Sequence, residues 1–222
     1  MRTRNTKLRD GAREKAFTLI ELMVVIAIIA LIAAMLTGLS GLAARKKHEG
    51  AVTAMKNKLM LCISSYQSKM GFYPPDNANN VLWPADSSNY EYYTGRNPLL
   101  YELTGAAVNP TNLMFLVFDS SLIPAATFSG AYGRGGIANS VADEERSYYQ
   151  PLPSPSEYMV CNGLKQLVVP VPLTGAANEL NWWHYDSSTT NRHNPLTFDL
   201  WAEYSAGKDS AGNRIIITNG NW

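Results

Sequence analysis

Apolar side chains follow one another almost without a break from Phe17 to Ala44, and Glu21 is the one charged residue among them. A helix over these 28 residues rises about 1.5 Å per residue, so it is roughly 42 Å long and exceeds a hydrocarbon core of about 30 Å. After Arg45, Lys46 and Lys47 the spacing changes. Val52, Met55, Leu59, Cys62, Tyr66 and Met70 recur every three or four positions, which marks an amphipathic helix. Lys56, Lys58 and Lys69 fall at other positions, suited to solvent. Gly71 supplies a C-terminal stop, and Pro74-Pro75 forbids continuation. The pattern predicts one long helix, apolar all round in its first half and one-sided in its second. Gly38 and Gly41 sit where the halves join, and either local bending or close helix contact accounts for them.

Beyond residue 76 the chain is polar, turn-rich and long enough for one core. Arg96 to Gly105 reads as a short helix, with Asn97 capping, Pro98 first and Gly105 past the end. Thr111 to Phe118 fits helix or strand equally. Ser129 to Gly136 is glycine-rich but lacks the Lys-Ser/Thr ending of a phosphate loop, so it reads as a surface loop. Asp143, Glu144 and Glu145 read as a solvated face. From Glu157 the period becomes that of strands: Tyr158–Cys161, Gln166–Val171, Asn181–Tyr185, Leu196–Tyr204 and Arg214–Thr218. Short connections between the last three predict an antiparallel meander. Pro170 and Pro172 make the Val-rich run an edge or irregular strand. The fold class is α+β: a long N-terminal helix, membrane-spanning then amphipathic, packed on a C-terminal antiparallel sheet.

Charge adds an orientation. Residues 1–16 hold six basic and two acidic side chains, and five basic residues follow the apolar run (Arg45, Lys46, Lys47, Lys56 and Lys58). That small excess favours a cytoplasmic N-terminus. An ionisable group inside a membrane helix costs roughly 2.5–3.5 kcal/mol at the centre and less near the edge, so Glu21 demands a use. A secretory signal peptide cut near Leu42-Ala43-Ala44 is a competing reading, but its apolar region is usually about 7–15 residues. A plain single-pass anchor explains the length and leaves Glu21 unexplained.

Residues 16–35, with Ala16-Phe17-Thr18-Leu19-Ile20-Glu21-Leu22-Met23 at their start, resemble the processing and assembly signature of type IV pilins and type II secretion pseudopilins. The resemblance implies cleavage by a prepilin peptidase between Ala16 and Phe17, and N-methylation of the new Phe17 amine. Ala16 stands where the family usually has Gly. The resemblance implies four segments: a cytoplasmic leader over 1–16, a transmembrane and assembly helix over 17–44, its amphipathic continuation over 45–73, and a globular head over 74–222. Cleavage exposes an amine with a reference pKa of about 7.7–8.0, largely cationic at neutral pH, and methylation keeps the charge. Phe17 and Glu21, four residues apart, share one helix face. The family pattern implies that Glu21 of one subunit meets the Phe17 amine of its neighbour in a helical filament of like chains.

The C-terminal region adds to the likeness. Phe198-Asp199-Leu200-Trp201, Ser205 to Asp209 and Asn221-Trp222 resemble the end of type II secretion major pseudopilins, as does Tyr73-Pro74-Pro75. Relatives of this kind often hold calcium in the loop after the Asp-Leu-Trp strand, which implies Ser205, the Gly207 carbonyl and Asp209 as oxygen ligands. Two departures favour a metal-free hairpin instead: Ala202-Glu203-Tyr204 lengthens the approach, and Ile215, Ile216 and Ile217 stand where a second acid is expected. Cys62 and Cys161, the two cysteines of the chain, either bridge stalk to sheet outside the cytoplasm or pack as thiols; both readings stay open.

Enzymatic readings find little support. His48, His184 and His193 lack metal-ligand spacing, and Gly38-Leu39-Ser40-Gly41 lies inside the apolar helix rather than at a nucleophile elbow. The chain carries 19 basic and 18 acidic residues, net +1. Losing residues 1–16 takes four positive charges with it and leaves −3, which gives no nucleic-acid surface. The sequence therefore implies a filament subunit, made in the bacterial inner membrane with its head periplasmic, or extracellular in a surface pilus. Its implied partners are membrane lipid before assembly, an inner-membrane assembly platform and minor pseudopilins. The alternative is a membrane-anchored extracytoplasmic binding or enzymatic domain.

Overall fold

A computed structural model describes residues 17–76, 97–109, 111–141, 147–161, 163–173, 181–187, 193–209 and 211–222, with the side chains of 36–42 outside that set. The calls made on Ala16, on Asp143 to Glu145 and on Gly38 and Gly41 as side-chain positions lie outside the described residues. The chain divides into two compact units, Met1–Ala43 and Ala44–Trp222.

Helix α1 covers Leu19–Met70. In the first unit its side chains from Phe17 to Met35 are exposed all round, as an apolar helix without a protein partner must be. In the second unit one stripe is buried: Val52, Met55, Leu59, Cys62, Ile63 and Tyr66. Gly71 ends the helix at φ +81°, donating its N–H to the Gln67 carbonyl at 2.9 Å. The stripe follows the sequence expectation, but two of the lysines do not. Lys56 is half-buried and donates to the Asn219 side chain and the Gly220 carbonyl. Lys58 pairs with Glu157 at 2.8 Å and lies 4.1 Å over the Tyr149 ring. Their long stems cover apolar surface while the ammonium finds acceptors, whereas Lys69 is exposed as expected.

Helix α1 packs on the expected meander, β7 (His184–Asp186), β8 (Asp199–Lys208) and β9 (Arg214–Gly220), in antiparallel order β7-β8-β9. Leu200, Ala202 and Tyr204 alternate inward on β8 and join the α1 stripe with Trp183 and Tyr185 in one core. Strand β8 starts later and runs further than its sequence pattern. Asn221 supports its start by mimicking a strand: its side chain accepts from the Leu200 N–H at 2.9 Å and donates to the Phe198 carbonyl at 2.8 Å.

Between the stalk and the meander in chain order come the expected short helix and a sheet that sequence did not place. Helix α2 (Leu99–Thr104) leads into β1 (Ala106–Asn109), β2 (Met114–Val117), β3 (Leu122–Pro124), helix α3 (Ala125–Tyr132) and β4 (Ser140–Val141). These strands form a sheet in the order β3-β2-β1-β4, with β1 and β4 parallel. Thr111 to Phe118 is thus resolved in favour of strand at its centre. The expected loop from Ser129 is half helix, because Phe128 and Tyr132, one turn apart, both bury against Tyr101. That burial overrides the low helix propensity of Gly130, and Gly133 closes the helix at φ +65°. For α2, Asn97 accepts the Leu99 N–H at 3.3 Å as the capping call required, one residue ahead of the Pro98 boundary. A hairpin of β5 (Tyr158–Cys161) and β6 (Leu164–Leu167) continues to Val168, which bridges Trp182. The Pro170–Pro172 stretch beyond is irregular, as its prolines require.

A buried carboxylate ties these layers. Glu102 on α2 accepts from the Tyr66 hydroxyl of α1 at 3.0 Å, and from the Ala138 and Asn139 amides at 2.8 and 3.0 Å. Burial raises its pKa against the pull of those donors. A raised folded pKa means the folded state holds the proton more tightly. Its stabilising effect is therefore complete below the ordinary glutamate range and fades as pH climbs through the raised value. We expect the stability gap between wild type and Glu102→Gln to widen in favour of wild type as pH falls from 7 towards 4.5, in urea unfolding series; a pH-independent gap would refute it.

Candidate functional site

The first turn of α1 holds a reciprocal pair. The Thr18 N–H and hydroxyl both donate to Glu21 Oε2, at 2.9 and 2.8 Å, and the Glu21 N–H donates back to Thr18 Oγ1 at 3.3 Å. Thr-Leu-Ile-Glu is a capping box: residue N3 returns to satisfy the donors of the N-cap, and the N-cap hydroxyl satisfies the N3 amide. Helix geometry requires such help, because the first four N–H groups have no carbonyl within the helix. The negative charge also lies at the positive end of the helix dipole. The result aims the Glu21 carboxylate back along the axis towards residues 17 and 18. Phe17, 81% exposed, sits at the mouth of this turn. Cleavage before Phe17 would place a cation one residue from an amide that already binds the carboxylate.

Thr18 is the member that sequence reasoning passed over. A threonine three residues ahead of a glutamate and followed by an apolar run is itself a helix-start signal.

Three other expected residues meet in one hairpin. Ser205 and Gly207 lie on β8, and Asp209 follows its end. Gly207 has φ +108°, a conformation open to glycine, and its N–H donates to Ser205 Oγ at 3.4 Å. The carboxylate of Asp209 accepts from the Ala211 N–H at 2.9 Å, the Asn213 N–H at 2.8 Å and the Asn213 side-chain amide at 3.1 Å. These bonds, the Asn213 side chain foremost, hold its pKa below the usual aspartate range. Donors therefore surround the group that the calcium reading assigned to a metal. Among the described residues no cluster of three or more His, Cys, Asp or Glu side chains is placed to hold an ion.

Cys62 and Cys161 are free thiols, so the bridge left open by the sequence is not formed. Cys62 is buried in the α1 stripe and Cys161 is half-buried at the end of β5, and burial raises both pKa values. A thiol held protonated is a poor nucleophile for disulfide exchange.

The histidines serve separate places. His184 stacks on Trp201 with ring centroids 4.9 Å apart, and burial pushes its pKa down to about 4. His193 stacks on Trp222 at 4.0 Å beside the Asp199 carboxylate. His48 lies on α1.

Among the described residues, no helix is long and apolar enough to cross a membrane.

Comparison with known families finds one match here: residues 11–37 fit the prokaryotic N-terminal methylation motif, the type IV pilin and pseudopilin signature. The match spans the capping box and residues 16 and 17, where the sequence reading expects cleavage. No curated protein and no solved structure matches the chain.

Removing the Thr18 hydroxyl leaves helix-start donors without an acceptor, a loss of about 0.5–2 kcal/mol for an N-cap. In Thr18→Val, amide exchange at Leu19 to Met23 should quicken by several-fold while exchange in the 52–66 stripe stays unchanged. Unaltered exchange at Leu19 to Met23 would show that the pair contributes nothing.

Proposed function

We propose that this chain is a structural subunit of a type IV pilus-like or type II secretion pseudopilus filament. The observation that carries the reading is the methylation motif over residues 11–37. Such a motif implies processing by a prepilin peptidase and assembly with pilus machinery, and it points to a structural part rather than an enzyme. The precursor enters the inner membrane with residues 1–16 cytoplasmic, residues 17–44 in the bilayer and the remainder periplasmic. Cleavage between Ala16 and Phe17 frees the amine, and methylation leaves it cationic. Helices then leave the bilayer and pack side by side, each burying apolar surface that lipid had covered.

In that bundle the Phe17 amine needs an anion. Glu21 of a neighbour supplies it, and the geometry around Thr18 supports this role. Both bonds from Thr18 go to Oε2, so among the described residues Oε1 is left for an incoming ammonium, and the carboxylate already faces the helix end where one would arrive. Deleting one partner of a buried ion pair typically costs about 3–5 kcal/mol, because the other charge stays uncompensated.

Intact-mass analysis of the membrane-extracted protein should show loss of residues 1–16 and gain of one methyl group at Phe17. A retained Met1, or a terminus near Ala44, would refute the reading in favour of an anchor or a secreted domain. Glu21→Ala should fractionate with membranes like wild type yet form no filaments when the assembly machinery is present; normal filaments would remove Glu21 from assembly.

For the hairpin we propose closure by Asn213 and the loop amides rather than by calcium. Thermal unfolding should give the same midpoint in excess calcium and in chelator. A midpoint raised by calcium would restore Ser205, the Gly207 carbonyl and Asp209 as ligands.

A further inference from the structure

Five of the second unit's basic residues come from the start of α1 in this unit and from the β8–β9 hairpin. Lys56 binds Gly220 and Asn219, and Thr53 accepts from Asn219, which fixes the Ala202 level of β8 beside residues 53–56 of α1. Two residues on, the Tyr204 hydroxyl lies in the field of Glu49, Arg45 and Lys46. Strand β8 therefore runs towards the N-terminal end of this unit as α1 is followed backwards. From Tyr204 a regular strand would advance roughly 13 Å by Lys208, less the shortening of the register shift between Ser205 and Lys208, whereas α1 rises only about 6 Å between Glu49 and Arg45. The tip of the β8–β9 hairpin thus lies towards the Arg45 end of this unit. At that tip Lys208 pairs in register with Arg214, and both are exposed.

Five cations, Arg45, Lys46, Lys47, Lys208 and Arg214, gather at this end from two elements distant in sequence. Arg45, Lys46 and Lys47 are consecutive on a helix, so at about 100° per residue they fan over more than half its circumference. The acids beside them are occupied: Glu49 pairs with Lys46 at 2.9 Å, and Asp209 is held by its own loop. Counting both acids, the cluster keeps an excess of three positive charges on a chain whose net charge without residues 1–16 is −3. The remainder of the chain is accordingly acidic, so this end is a distinct electrostatic pole.

We propose that this basic end docks on the phosphate groups of an anionic bilayer surface. The apolar helix of α1 immediately precedes Arg45 in the chain, and the surface that bounds the apolar phase accepting such a helix is built of phosphates. A polybasic stretch beside a membrane segment gains from each Lys or Arg near that surface, within a Debye length of about 8–10 Å. The Lys208–Arg214 hairpin supplies a second point of contact, which fixes the tilt of the unit on the membrane rather than only its distance. The inference rests on the membrane-inserted precursor proposed above.

Lysine acetylation read by mass spectrometry tests it on the full chain, reconstituted at low protein-to-lipid ratio in phosphatidylcholine vesicles with or without 30% phosphatidylglycerol. The anionic vesicles should slow labelling of Lys46, Lys47 and Lys208 by at least about threefold, and about 0.5 M salt should abolish that protection. Lys69, exposed at the far end of α1, is the internal control and should label equally in both. In K208Q/R214Q the protection at Lys46 and Lys47 should weaken while alkali-resistant membrane association persists. Equal labelling of Lys208 in both vesicles overturns the docking but leaves insertion intact. Protection that follows protein density instead of phosphatidylglycerol assigns this end to a second copy and overturns it too. A chain that fails to insert in either vesicle overturns both this inference and the reading beneath it.

Discussion

The apolar stripe of α1 against β8 is the contact from which the rest of the second unit is built. Val52, Leu59, Ile63 and Tyr66 meet Leu200, Ala202 and Tyr204, all at or near full burial. Once β8 is fixed by this face, β7 and β9 have their registers, and the chain end has one place to go. Lys56 and Thr53 hold Asn219 and Gly220, while Asn221 continues the hydrogen bonding of β8 at its start. Truncating Leu59 at the centre of the stripe would remove about 2–5 kcal/mol by transfer and cavity terms. That is a large share of the 5–15 kcal/mol by which a domain is ordinarily stable.

Several carboxylates among the described residues accept bonds from N–H or O–H donors. Glu21 has Thr18, Glu102 has Ala138, Asn139 and Tyr66, and Asp199 has the amides of His193 and Asn194. Asp76 takes the Ser187 N–H at 3.0 Å alongside Arg134. Hydrogen bonds to an ionised acceptor are stronger than neutral ones, and oriented amides lose no side-chain freedom in making them. Elsewhere a lysine meets the carboxylate directly: Lys58 pairs with Glu157 and the buried Lys165 with Asp119, each at 2.8 Å.

Sequence revealed the parts whose period is long. The α1 stripe, the Gly71 stop and the three-stranded meander were legible because many residues repeat one spacing. The sheet β3-β2-β1-β4 was not, since its strands are two to four residues long and an apolar run of that length fits helix or strand. Helix α3 was hidden by its glycines; the signal was the Phe128–Tyr132 spacing, whose meaning depends on Tyr101 being nearby. At the candidate site, Phe17 and Glu21 were readable from the motif, and the role of Thr18 was readable from the capping pattern but overlooked. The convergence of Lys208 and Arg214 with Arg45 lay beyond sequence, because it depends on which way β8 runs along α1.

The capping box also bears on how a filament of such chains would choose its contacts. A glutamate with no local partner inside a bilayer would be driven to take up a proton and become neutral. It would then offer nothing to an arriving amine. Two donors from Thr18 hold the Glu21 carboxylate at the helix start before a neighbour approaches. On the proposed pairing, an incoming amine would bind the second oxygen without displacing the first set of bonds, so association would not first break the helix start. The same arrangement would discriminate against uncleaved chains, in which the Phe17 nitrogen is a neutral amide. An amide can donate one hydrogen bond but brings no charge to balance Glu21 in an apolar bundle. On the proposed assembly, selection for processed subunits would reside in the Phe17–Glu21 pair, with Thr18 holding the acid in position for it.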